Sequence, residues 1–382
     1  MRAPIQAALA TLLAAVAVAG CGRKSETQQQ ASAPAAAAAP AEDKVLNVYN
    51  WSDYIDPAVI EAFTKETGIE VSYDVFDSNE VLETKLLTGQ SGYDVVVPSA
   101  YFLERQIQAG VFQKLDAAQL PNLANVDPEL QQRVAAHDPG NEHAVIYMWG
   151  TTGIGYDADR IKSIMPDAPT DSWSLVFDPA VVSRFKDCGV SFLDDPTDMV
   201  STVLLWLGKD PNSQSEADLK LAEEALMKVR PYVRTIHSSQ YIEDLANGSI
   251  CIAVGYSGDV MQARDRAAEA GKPIDIRYSI PREGALMWFD MLAIPGDARH
   301  PRNAHAFIDY LLRPQVAAAN ANFVSYATAN AAAMPMVDEQ LRNDPGVFPT
   351  PEVKARLQPN LAKSAEFTRQ LNRAWTRFVT GR

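Results

Sequence analysis

The chain is poor in the residues from which most reactive centres are built. Its 382 residues hold three cysteines and five histidines. No Cys-x-x-Cys pair exists, and His137, His143, His237, His300 and His305 are scattered, so neither a structural zinc site nor a metalloprotease helix is indicated. No metal and no cofactor are expected. Glycine-rich phosphate cradles are missing too. There is no P-loop, and Gly153-x-Gly155 lacks the third glycine of a dinucleotide fingerprint. In Gly255-Tyr256-Ser257-Gly258-Asp259 an aspartate stands where a nucleophile elbow needs its last glycine. A glycosidase would need two acids at a defined separation, and nothing in the spacing places such a pair. The reading is therefore not an enzyme. Positive charge is the other shortage, with 34 basic residues against 48 acidic ones and a formal net charge of -14. Such a surface repels nucleic acid and anionic lipid and attracts cations, although solubility alone also accounts for it.

Long apolar runs are confined to the start. Arg2 precedes a mainly Ala/Leu/Val run from Ala7 to Ala19, too short to span a bilayer but of signal-peptide length. It ends in Val18-Ala19-Gly20-Cys21, which resembles a bacterial lipoprotein processing site. Residues 1–20 are expected to be a lipoprotein signal peptide, with lipid on Cys21. Residues 21–43, rich in Ala, Pro, Gln and Ser, have no periodic apolar face and read as a flexible tether. In an exported chain the remaining pair, Cys188 and Cys251, forms either a disulfide or two buried thiols.

A length of 382 residues with 47% hydrophobic composition calls for two lobes. Strands are expected at Val45–Asn50, Glu70–Phe76, Asp94–Pro98, Ile250–Tyr256, Ile274–Ile280 and Met287–Ile294. Helices are expected at Pro57–Thr67, from Ser78 towards Leu87, at Ala100–Ala109, Gly258–Ala270 and Pro301–Leu312. This alternation argues an α/β architecture with parallel sheet. Ala144 to Tyr156 sits where a chain would cross between lobes, and its glycines suit either a hinge or a plain turn.

Aromatic and acidic residues gather at strand ends, where open α/β sheets bind ligands. Trp51, Ser52, Asp53 and Tyr54 follow the first strand, Ser99 and Tyr101 the third, and Tyr256 and Asp259 a later one. Trp288 and Asp290 lie in another. Duller roles are available for each: Asp53 or Ser99 as helix caps, Asp259 at a helix N-terminus, Trp51 or Trp288 as core, and Asp194, Asp195 and Asp198 as a solvated turn. Together they suit an alkyl diamine, whose stem packs on rings and whose ammonium groups need carboxylates. A sugar site would use similar residues.

The strings YNWSDYIDP, DVFDSNEVLE, YDVVVPSAYFLERQ, YMWGTTGIGYD, KDCGVSFLDDP, HSSQYIEDLANGSICIAVGYSGDV, SIPREGALMWFDMLAIP and YLLRP carry a strong resemblance to the polyamine-binding proteins of bacterial ABC transporters. It runs from about Lys44 to the C-terminus. The resemblance implies a type II periplasmic binding protein fold, α/β and two-lobed. Each lobe would be a mainly parallel sheet flanked by helices, with the ligand cleft between. Lobe 1 would be 44–151 and 286–335, lobe 2 152–285 and 336–382. It further implies an aromatic box of Trp51, Tyr256, Trp288 and Tyr326 and one ammonium on Asp259 and Asp290. Asp198 would serve the other end, with Ser52, Asp53, Tyr54, Ser99 and Ser238 as polar contacts. Cys188 and Cys251 match a disulfide of close relatives. Tyr256 stands where tryptophan is usual and Asp198 where glutamate is. Tyr101 and Asp195 look like spermidine-type members and Ser52-Asp53 like putrescine-type ones, which leaves the preferred polyamine open. The implied role is a periplasmic, lipid-anchored monomer that hands putrescine or spermidine to a permease. A polyamine sensor, or the same fold holding a sugar or amino acid, is the alternative.

Overall fold

A computed structural model describes residues 42–382. The expected signal peptide at 1–20, the expected lipid site Cys21 and all but the last two residues of the expected tether at 21–43 lie outside the described residues.

Eleven strands form one mixed sheet among the described residues: β1 (Val45–Trp51), β2 (Glu70–Phe76), β3 (Val95–Val96), β4 (Ala144–Asp157), β5 (Val190–Phe192), β6 (Thr235–Ile236), β7 (Ile252–Tyr256), β8 (Ile276–Ser279), β9 (Ala285–Ala293), β10 (Ala327–Thr328) and β11 (Leu357–Pro359). The order is β2-β1-β3-β9-β4-β7-β5-β6, with β8 and β10 also on β4 and β11 on β9. Both ends of this order are parallel, β2-β1-β3 and β7-β5-β6. The middle ladders, β3-β9, β9-β4 and β4-β7, are antiparallel.

The helices begin and end where local chemistry dictates. In Pro57–Thr67, Asp56 accepts the Ala58 N–H, Pro57 fills the first turn, and Gly68 at φ 70° closes the end by donating to the Thr64 carbonyl. The helix Pro196–Trp206 opens on Asp195, whose carboxylate accepts the Asp198 N–H and so fixes Asp198 in the first turn. The helix Ser257–Glu269 starts directly after β7, which places Asp259 at its first turn.

Two hydrophobic cores result. One gathers Leu46, Val48, Val95, Val96, Phe307 and Met291; the other Trp173, Phe192, Val190, Ile252, Val254 and Phe378. β4 and β9 run from one to the other, since Ala144 to Trp149 belong to the first and Ile154 to the second, and Met287 to Ile294 to the first and Ala285 to the second. The plain turn considered for Thr151–Gly155 is overturned: β4 is an unbroken strand of 14 residues, buried almost throughout. Its glycines serve close packing. A Cβ on Gly150 would lie 2.6 Å from the Trp288 ring, and one on Gly153 2.5 Å from the Tyr278 hydroxyl.

Cys188 and Cys251, just ahead of β5 and β7, are joined by a disulfide across 63 residues of sequence. On the chain-entropy model a loop of this length stabilises by about 4 kcal/mol. Replacing both cysteines by alanine is expected to lower the unfolding free energy by about 2–4 kcal/mol, read from urea denaturation in oxidising buffer. An unchanged midpoint would show that β5 and β7 do not depend on the bridge.

Candidate functional site

Strand ends and first helical turns from both cores converge on one cavity. Trp51, Ser52, Tyr54, Ser99, Tyr101, Asp198, Ser238, Tyr256, Asp259, Trp288, Asp290 and Tyr326 all line it. These are twelve of the fourteen residues singled out from sequence. Its lining carries four carboxylates, Asp77, Asp198, Asp259 and Asp290, and no lysine or arginine.

Asp290 projects from β9 and is 5% exposed. Its two oxygens accept from the Ser99 hydroxyl at 2.6 Å and the Tyr54 phenol at 2.9 Å. Ser99 therefore occupies a helix N-cap position but turns its hydroxyl to Asp290 instead of capping. Asp259 is built the same way, accepting from Tyr326 at 2.6 Å and Tyr241 at 2.7 Å. Asp198 accepts from Thr152 at 2.8 Å and Asn360 at 2.7 Å. Each aspartate is thus held by two neutral donors, and among the described residues none of the three forms an ion pair.

Burial without a counter-charge raises the cost of ionisation. It pushes Asp290 up to about 7 and Asp259 up to about 6, against the lowering effect of their hydroxyl donors, and each also feels a neighbouring carboxylate. Asp198 is pushed well up by burial and then by Asp195. Nearby carboxylates add to the effect of burial: Asp259 raises Asp290, and Asp195 and Glu80 raise Asp198.

Aromatic rings make up much of the remaining lining. Tyr147, Tyr54, Tyr326, Trp288 and Tyr256 form a series of edge-to-face contacts with centroids 5.0–5.6 Å apart. Trp51 packs on Phe76 at 4.6 Å and donates its indole N–H to the Val97 carbonyl at 2.9 Å. Gly258 makes room for this packing, because a Cβ there would fall 2.3 Å from the Tyr326 ring. Ring faces beside desolvated carboxylates favour a guest with an apolar stem and cationic ends.

Two expected residues sit elsewhere. Asp53, at φ 54°, does not line the cavity; it is partly exposed and pairs with Arg266 at 2.8 Å. Nor does it cap the nearby helix, which Asp56 does. Asp195 is buried behind the lining and is reached through Tyr101, whose phenol donates to it at 3.3 Å. Sequence reasoning missed Phe76, Asp77, Asn79 and Ser239. Phe76 ends β2 and Asp77 and Asn79 follow it, so the strand-end rule that flagged Trp51 and Ser99 would have found them. Asn79 ties the site together, donating to Ser99 at 3.1 Å and accepting the Ser99 N–H at 3.0 Å.

This architecture has close counterparts. The profile of the bacterial extracellular solute-binding proteins matches residues 58–350. The putrescine-binding periplasmic protein SpuD of Pseudomonas aeruginosa is 52% identical over 343 residues, 90% of this chain and 94% of that protein. The putrescine-binding periplasmic protein PotF of Escherichia coli is 52% identical over 344 residues, covering 90% of this chain and 93% of that one. Among solved structures, the spermidine/putrescine ABC transporter substrate-binding protein PotD of Streptococcus pneumoniae superposes with a TM-score of 0.72 at 28% identity, over 89% of this chain and 99% of that one. A protein of Listeria monocytogenes reaches a TM-score of 0.81 at 31% identity, over 89% of this chain and all of the other. With these matches spanning both cores and the cavity, the chain belongs to the bacterial extracellular solute-binding proteins, in the group that holds the putrescine-binding periplasmic proteins.

Proposed function

We propose that this protein captures a polyamine, putrescine or spermidine, in the periplasm and delivers it to the permease of an ABC importer. One observation carries the reading: a ring-lined cavity with four carboxylates and no basic residue. A neutral sugar would leave that charge uncompensated, and an anionic ligand would add to it. A diamine supplies two cations to these carboxylates and lays its stem on the rings, each cation–π contact contributing about 0.5–2 kcal/mol. The relatives named for putrescine and spermidine agree with this assignment. The role is capture and transfer, with no chemistry performed on the ligand.

The same proposal assigns Asp259 and Asp290 to one ammonium and Asp198 to the other end, with Trp51, Tyr256, Trp288 and Tyr326 around the stem. It also divides the chain into lobe 1 at 44–151 and 286–335 and lobe 2 at 152–285 and 336–382, a division that the two hydrophobic cores support near 151 and 285. A lipid on Cys21, supported by the small residues before it, would keep the monomeric receptor at the membrane beside its permease.

Asp290→Asn preserves shape but removes a charge that the guest requires. It is expected to weaken putrescine binding at least about tenfold, or about 1.4 kcal/mol, in titration calorimetry. Unchanged affinity would remove Asp290 from the site.

Protonation supplies a second test. The folded-state values of Asp259 and Asp290 lie above those of an unfolded chain, so their contribution to the empty protein's stability is full in acid and is lost as pH rises through about 6 and 7. A bound ammonium favours the ionised forms and releases those protons. Affinity for putrescine is therefore expected to fall at least about tenfold between pH 8 and pH 5.5, with proton release on binding near pH 6.5. A pH-independent affinity over that range would contradict the assignment of both acids.

A further inference from the structure

The two oxygens of Asp259 are held by unlike partners. Tyr326, which donates to Oδ1 at 2.6 Å, lines the cavity and belongs to the first core. Tyr241, which donates to Oδ2 at 2.7 Å, is fully buried, belongs to the second core and does not line the cavity. The Tyr241 hydroxyl also accepts the backbone N–H of Tyr256 at 2.9 Å. One buried phenol thus joins a carboxylate of the cavity to the backbone of one of its ring residues.

On the polyamine reading of the cavity, on which this rests, we propose that Tyr241 is a positioning residue: by tying Asp259 to the end of β7 from behind, it fixes the face that the carboxylate turns to a cationic guest. The sequence reserves the space it needs. A Cβ on Gly255 would lie 2.5 Å from the Tyr241 ring, so a side chain there would displace the phenol. The helix Tyr241–Asn247 follows directly on Ser238 and Ser239, which do line the cavity. The same stretch of chain therefore supplies two hydroxyls to the wall and a phenol behind it. Accepting the Tyr256 N–H polarises the phenol and strengthens its bond to Asp259. A carboxylate has about four lone-pair sites, so one phenol on each oxygen leaves about two for an ammonium group. Without Tyr241, Oδ2 loses its protein donor and the carboxylate is held on one side alone.

The charges around Asp259 give this role a distinct signature. It is faced by Tyr241 from the helix Tyr241–Asn247, Tyr326 ahead of β10, Tyr54 and Asp53 after β1, Asp290 on β9, and Arg266 on its own helix. The two acids oppose its ionisation and Arg266 favours it. Burial pushes Asp259 up to about 6 although both phenols pull it down. Burial and then the Asp259 charge push the Tyr241 phenol well up, so it keeps its proton and donates. Removing that hydroxyl takes away a bond to the ionised form, and Asp259 must then titrate at higher pH. Loss of packing alone does not produce that change.

The test is carbon NMR of protein with 13C-labelled aspartate carboxyl groups, the Asp259 signal being identified by its loss in Asp259→Asn. Tyr241→Phe keeps the ring against Gly255 and is expected to raise the Asp259 titration midpoint in the empty protein by at least about 0.5 in pH. Putrescine affinity is expected to fall at least about threefold at pH 8.5, where Asp259 is ionised in both proteins, and further at pH 6. Tyr278→Phe removes a hydroxyl of the same region that bonds Thr151, and should leave the Asp259 midpoint in place. Should Tyr241→Phe not fold, Tyr241→3-fluorotyrosine keeps both bonds with a stronger donor and is expected to move the midpoint down. The midpoint is read without ligand, so it tests Tyr241 apart from the polyamine reading, which a wild-type protein that ignores putrescine would refute. An Asp259 midpoint unmoved by the Tyr241 substitution, or an equal rise in Tyr278→Phe, would overturn the proposal.

Discussion

The structure turns on one electrostatic constraint: Asp198, Asp259 and Asp290 are buried and carry no counter-ion of their own. A carboxylate removed from water without a partner is expensive to ionise. The chain softens this cost by giving each acid two hydroxyl or amide donors, yet still leaves Asp290 and Asp259 poised at about 7 and about 6. Neutral donors orient the carboxylates without neutralising them. A cationic guest is the missing member of each network, and the charge-assisted bonds it makes in a dry cavity are stronger than the neutral ones already present.

The fold exists to bring those groups together from distant parts of the sequence. Parallel ladders at each end of the sheet put strand ends on one side, and the antiparallel β9 and β4 carry the chain between the cores. Asp290 comes from the crossing strand β9, Asp259 from the turn after β7, and Asp198 from a helix start that Asp195 caps. Tyr54 and Tyr326 join these elements, each giving its hydroxyl to one aspartate while their rings meet edge to face at 5.0 Å. Glycines at 150 and 258 let Trp288 and Tyr326 approach the backbone closely enough to complete the wall. Selectivity is therefore a property of packing as much as of charge.

Much of this was legible in the sequence because its signals were local. Pro57 near the start and Gly68 at the stop delimit a helix to the residue, and the strands expected at Val45–Asn50, Glu70–Phe76 and Met287–Ile294 fall on β1, β2 and β9. The strand-end rule led to Trp51, Ser99, Tyr256 and Asp259, and the anomaly of an aspartate in an apolar strand led to Asp290. Other features have no local signature. Thr152 and Asn360 reach Asp198 from 46 and 162 residues away, and no pattern around either marks it. Asp53 sits in the right loop, but its backbone at φ 54° and the presence of Arg266 turn it outward. The glycines of β4 imitate a turn, and only the bulk of Trp288 and Tyr278 opposite them shows that they are there for space.

The most direct measurement is thermal stabilisation of the protein by three guests of the same length: butane-1,4-diamine, butylamine and butane-1,4-diol. A cavity governed by several buried carboxylates should be stabilised strongly by the diamine, weakly by the monoamine and not detectably by the diol at equal concentration. Stabilisation by the diol equal to that by the diamine would show that shape and hydrogen bonding, and not buried negative charge, decide what this protein holds.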